Sequence, residues 1–179
     1  MIDTVTSDRR TLVGPGGSLL GVGDKVTAME GLGRATNETR TVYDLWVRAR
    51  NTRRFPRVAD LPLHELGRLQ ESMGVIDVVP GKHDYRYRTC GALEIALRGS
   101  DPCGRTVREC HSGEILDFVL DSFDRVLKSR DGVIDFSVDI DRNQRYIATE
   151  VILLPLSEDD STIDSILAYI HYRDTGKAG

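Results

Sequence analysis

The chain has 179 residues, 40% apolar and 29% charged, with a formal net charge of −4. That length suits one domain with one packed core, and the acidic balance argues against whole-chain binding to nucleic acid. No apolar run approaches the ~18 residues of a membrane span, and the N-terminus does not read as a secretory signal, so a cytoplasmic protein without membrane insertion is expected.

Residues 1–37 hold seven glycines between Gly14 and Gly33 and no aromatic residue. Glycine raises the entropy cost of ordering, and little here can be buried. The stretch reads as a flexible arm. Gly14-Pro15-Gly16-Gly17 lacks the Gly-Lys-Ser/Thr of a phosphate loop.

Residues 38–73 read as N-terminal helices and a connector. Asn37 is placed to cap a helix over 38–50, whose apolar stripe is Val42, Leu45 and Trp46. Pro56 and Pro62 then hold an extended connector, because each disfavours helix at the residue before it. Within it, Arg57 and Asp60 are spaced to pair. Six arginines lie between Arg40 and Arg57. Such a run is either a docking face for phosphate or an acidic partner, or a solvated helix face. A short helix over 63–71 follows.

Residues 74–173 read as the core. Val75 to Val79 is a β-branched strand stopped by Pro80-Gly81, and Asp84 to Cys90 is a second, alternating strand. Ala92 to Arg98 is one or two helical turns, and Gly99 to Gly104 a loop. Ser112 to Arg130 carries Ile115, Leu116, Val119, Leu120, Phe123, Val126 and Leu127 at three- and four-residue steps, the clearest helix in the chain. Three strands follow, over 134–140, 145–156 and 163–173, and residues 174–179 form a tail. A hairpin, a helical crossover and a three-strand meander make an α+β fold: one five-stranded antiparallel sheet with helices on one face, preceded by an N-terminal helix.

Several pieces in this order resemble a family of PAS domains of the alphaproteobacterial type. They are Trp46, the run Arg54-Phe55-Pro56-Arg57-Val58-Ala59-Asp60, Tyr87-Arg88 with Gly91, Gly99 and Asp101 with Gly104-Arg105, and Leu154-Pro155-Leu156-Ser157. The resemblance covers residues 41–173. It implies a PAS-like fold and a sensory or regulatory domain, often dimeric, without catalytic residues. Cys103 departs from the pattern, standing where threonine is expected.

Arg88 on its strand needs a partner or solvent. It reads either as an anion-recognising arginine facing a pocket or as the structural partner of Asp101. Cys103 lacks the Asn-Cys-Arg-Phe-Leu-Gln context of light-sensing relatives, and the long helix carries no histidine for haem. Flavin and haem are therefore not expected, and the cofactor stays unknown. Cys90, Cys103 and Cys110 are odd in number and lack metal spacing, as do the scattered histidines. No Gly-x-Ser-x-Gly or His-Glu-x-x-His element points to an enzyme.

Two functions follow. In the first, a small molecule binds between the sheet and the crossover helices, lined by Tyr87, Arg88, Ile95 and Phe123. In the second, the domain is a ligand-free module that uses Val42, Leu45 and Trp46 to dimerise or to meet another signalling protein. No kinase, cyclase or DNA-binding domain is joined to it, so the output is expected to pass through another protein.

Overall fold

The computed structural model describes residues 11–13, 19–21, 24–140 and 145–177. The strands are β1 (Thr11–Val13), β2 (Leu19–Gly21), β3 (Asp24–Thr27), β4 (Met73–Val78), β5 (Tyr85–Cys90), β6 (Val133–Ile140), β7 (Arg145–Leu156) and β8 (Ser165–Lys177). The helices are α1 (Ala28–Gly31), α2 (Asn37–Arg50), α3 (Ala92–Arg98), α4 (Val107–Cys110) and α5 (Gly113–Ser129). Two 3-10 segments, Val58–Asp60 and Leu63–Ser72, occupy the connector.

The sheet is antiparallel, in the order β1-β2-β6-β7-β8-β4-β5, with β3 also on β6. Five of these strands, β6-β7-β8-β4-β5, are the expected hairpin and meander, closed where β8 pairs with β4. Alternation along the strands divides the core. On β8, Ile166 and Ala168 join Tyr85, Tyr87, Leu120, Phe123 and Val126, whereas Leu167 and Tyr169 join Val42, Leu45 and Trp46. Residues two apart share a face. The crossover helices therefore cover one face and α2 covers the other.

The glycine-rich leader differs from the sequence reading over residues 24–35. Thr27 and Glu30 form a capping box, and Ala28 and Gly31 are buried. A Cβ on Gly31 would lie 2.9 Å from Val26 and 3.1 Å from Ile134, so glycine lets this turn lie flat on the strands. Lys25 reaches α5, with Nζ 3.2 Å from Asp121 Oδ2 and 3.6 Å from the Phe118 ring centroid. Residues 14–18, which include the whole of Gly14-Pro15-Gly16-Gly17, fall outside the described residues.

The cap of α2 is Thr36 rather than Asn37. Its hydroxyl accepts from the Thr39 amide, and its own amide and hydroxyl donate to buried Glu150 at 2.9 Å each. The connector is held by the acidic turn after β7. Asp160 accepts from the Arg54 and Phe55 amides at 2.8 and 3.0 Å, and the Ser157 amide donates to Pro56 O at 3.0 Å. Arg53 donates to the carbonyls of Ser157 and Glu158. This network seats Phe55 in the core, 1% exposed.

Candidate functional site

β5 alternates Tyr85 and Tyr87 inward with Arg86 and Arg88 outward. Gly91 ends the strand and starts α3, which lies over this inner face. A Cβ on Gly91 would come within 2.2 Å of Glu71 O, so only glycine lets the helix begin here. α3 then inverts the usual pattern: Leu93 and Leu97 are 40% and 56% exposed, whereas Glu94 is 5% exposed. Arg98, four residues on, shares Glu94's side of the helix.

These two charges meet Tyr87, His111 and Tyr172. Arg98 Nε lies 4.0 Å from Glu94 Oε2, and the guanidinium sits 5.1 Å from the Tyr87 ring centroid. The Tyr172 hydroxyl donates to Glu94 Oε2 at 3.4 Å. Tyr87 Oη lies 2.9 Å from His111 Nε2, and Arg98 Nη1 3.4 Å from the same nitrogen. Arginine can only donate, so Nε2 is the acceptor and the ring proton belongs on Nδ1. Burial, reinforced by Arg98, pushes the His111 pKa down to about 4, which keeps the ring neutral at pH 7. Burial raises the Glu94 carboxyl, and Arg98 opposes the shift. It also raises the Tyr87 hydroxyl and pushes the Cys90 thiol up to about 11. The cluster can hydrogen-bond and balance charge. It contains neither an activated nucleophile nor a metal set, and among the described residues no group of three or more His, Cys, Asp or Glu side chains is placed to hold a metal.

Of the residues read as ligand-lining, Tyr87 belongs to this cluster. Phe123 is buried beside it, its ring 4.9 Å from that of Tyr85, and Ile95 is half-buried on α3. Arg88 faces away. Its partner is Asp77 on the neighbouring strand, at 2.6 Å, rather than Asp101, whose carboxylate instead accepts from the Cys103 amide at 2.9 Å. Arg88 and Asp77 line a surface recess with Arg86, Glu158 and Asp164. The Arg57–Asp60 pair forms at 2.9 Å.

Val42, Leu45 and Trp46 are 0%, 0% and 4% exposed within the chain's own fold, and the Trp46 indole donates to Pro155 O at 2.8 Å. The face read as a dimer interface thus lies against β7 and β8, because the sheet has a second apolar face to cover. Most of the arginine run is likewise structural. Arg40 donates to Leu32 O and Gly33 O, Arg48 pairs with Glu65, and Arg53 and Arg57 hold the connector.

Glu94, Arg98 and His111 were not singled out from sequence. A Glu and an Arg four apart on a helix resemble an ordinary solvent-facing pair. The one available signal is Gly91, which sets the start of the helix tightly against the 3-10 segment at Gln70 and Glu71.

A family model described as PAS domain matches residues 34–171. No curated protein matches. Among solved structures, one reported as "Flavin Analogue Sheds Light on Light-Oxygen-Voltage Domain Mechanism" is 12% identical, with a TM-score of 0.46, covering 63% of this chain and 84% of that one. The expectation that set flavin aside does not hold, because it rests on the missing cysteine context. The missing cysteine context bears on a covalent adduct, which is a separate matter from whether flavin is held. At this identity the likeness is one of fold alone. No helix among the described residues is long and apolar enough to cross a membrane.

Proposed function

The chain belongs to the PAS-domain family, and on that premise we propose that it is a non-catalytic sensory domain that binds a small molecule between the inner face of the sheet and helices α3 to α5. The observation that carries this reading is α3 itself, which turns Glu94 and Arg98 inward and leaves Leu93 and Leu97 in solvent. Burying an ion pair while exposing leucines costs stability. Local rules broken in this way concentrate at functional sites. Tyr87, His111 and Tyr172 add polar groups to an otherwise apolar layer of Tyr85, Phe123 and Ile166, which is the usual make-up of a ligand site. Binding would shift α3 against the sheet and so bias contact with a second copy or another signalling protein.

Native mass spectrometry of the undenatured full chain tests this reading. The expected result is a retained small-molecule mass on the wild type that is lost in Arg98→Met. An unliganded wild type whose melting temperature no metabolite shifts defeats it. The interaction-module reading, with α2 as its interface, lacks comparable support because Trp46 is spent on the chain's own sheet.

A further inference from the structure

Resting on that reading, we propose that the ligand is a small molecule without net charge whose edge sets a hydrogen-bond donor beside an acceptor, as an amide or lactam does, and that Glu94 and Arg98 recognise it.

Three buried polar atoms around Tyr87 have no hydrogen-bond partner among the described residues: Glu94 Oε1, Arg98 Nε and His111 Nδ1. Glu94 as a whole is only 5% exposed. A buried polar group left unpaired is destabilising, so three close together are a standing cost that a bound partner would relieve. Their chemistry defines that partner. Carboxylate Oε1 accepts, and Arg98 Nε–H donates. His111 Nδ1 is a second donor, because Nε2 faces the Tyr87 hydroxyl and Arg98 Nη1. The partner therefore brings at least one donor and at least one acceptor.

Charge narrows it further. Glu94 and Arg98 lie 4.0 Å apart and balance each other. An anion would have to compete with Glu94 for Arg98, and a cation with Arg98 for Glu94. Either would leave one charge uncompensated in a poorly solvated site, which is unfavourable. An N–H beside a C=O meets Glu94 Oε1 and Arg98 Nε and disturbs neither charge.

The test is a protein-observed NMR titration of the full chain with three matched probes: 2-pyridone, N-methyl-2-pyridone, which lacks the donor, and benzoate, an anion of similar size. The expected result is that 2-pyridone binds at least tenfold tighter than the other two, with shifts centred on Tyr87, α3 and His111. Arg98→Met and Glu94→Gln should each erase that discrimination while unfolding stays cooperative. Benzoate binding tightest would mean that Arg98 is an anion site and would overturn the inference, as would equal binding of all three. Should native mass spectrometry retain a ligand while 2-pyridone shows no preference, only the chemistry proposed here falls. Should no ligand be retained and no probe bind, the sensor reading falls and takes this inference with it.

Discussion

Gly91→Ala should destabilise the protein more than any other glycine-to-alanine change near the site. At φ −67 and ψ 154 the backbone there suits any residue, so the substitution adds no torsional strain. What it adds is a methyl group 2.2 Å from Glu71 O, 2.5 Å from Glu71 C and 2.7 Å from Gln70 O. All three are backbone atoms that no rotamer change can move. The chain must separate by about 1 Å to reach ordinary contact, which also strains the 2.7 Å bond from the Gly91 amide to Met73 O. Overpacking of this kind costs about 1–3 kcal/mol, and the weakened hydrogen bond about 1 more. A total of about 3 kcal/mol should lower the melting temperature by about 6–12 °C for a chain of this size. Gly99→Ala is the control, since its φ of +76 lies in open space and costs strain alone, about 1 kcal/mol. Urea denaturation of both variants decides the matter. Gly91→Ala within about 0.5 kcal/mol of wild type, or less damaging than Gly99→Ala, would refute the claim that α3 is pinned by close backbone approach.

Three further outcomes follow from the same geometry. Trp46 is the sole tryptophan, and its burial against Pro155 predicts blue-shifted emission that does not change on dilution; Trp46→Phe should cost about 1–3 kcal/mol in denaturation by leaving the Pro155 carbonyl unpaired. Asp160→Ala removes the acceptor of the Arg54 and Phe55 amides and should cost about 1–2 kcal/mol, read by the same method, with Phe55 and its connector opening first in hydrogen exchange. His111 has its pKa lowered from 6.5 to about 4 in the fold, so between these values the unfolded chain binds more protons. Its contribution is complete above pH 6.5 and is lost as pH falls toward 4. The gap in melting temperature between wild type and His111→Gln should therefore narrow across that window; a gap independent of pH contradicts a buried neutral ring.

The parts of the fold that were legible are those in which local pattern and tertiary role agree. The seven apolar positions from Ile115 to Leu127 announced α5, and the alternation from Asp84 to Cys90 announced β5, because each pattern reports which side faces the core. The connector was legible as a problem: two prolines and few backbone partners required outside help. The Arg57–Asp60 pair was visible at three residues' spacing. The main help comes from Asp160, more than a hundred residues away. Long-range closure of that sort leaves no local trace.

The candidate site was hidden for a related reason. Whether Glu94 and Arg98 face solvent depends on which side of α3 meets the sheet, and periodicity favours the side carrying Leu93 and Leu97. Gly91 overrides that preference by fixing where the helix starts and how closely it approaches the turn at Gln70 and Glu71. Arg88 shows the converse. Its partner was expected in the loop at Asp101, but strand pairing sets Arg86 opposite Asp77 and leaves Arg88 a short diagonal reach away, which a residue count along the chain cannot show. Trp46 was read as available to a partner because one apolar sheet face was assumed. Clean alternation in β6, β7 and β8 gives the sheet two apolar faces, and a sheet with two such faces needs a second cover. α2 is that cover, which leaves α3, with its leucines outward and its charges inward, as the element whose position a ligand is best placed to change.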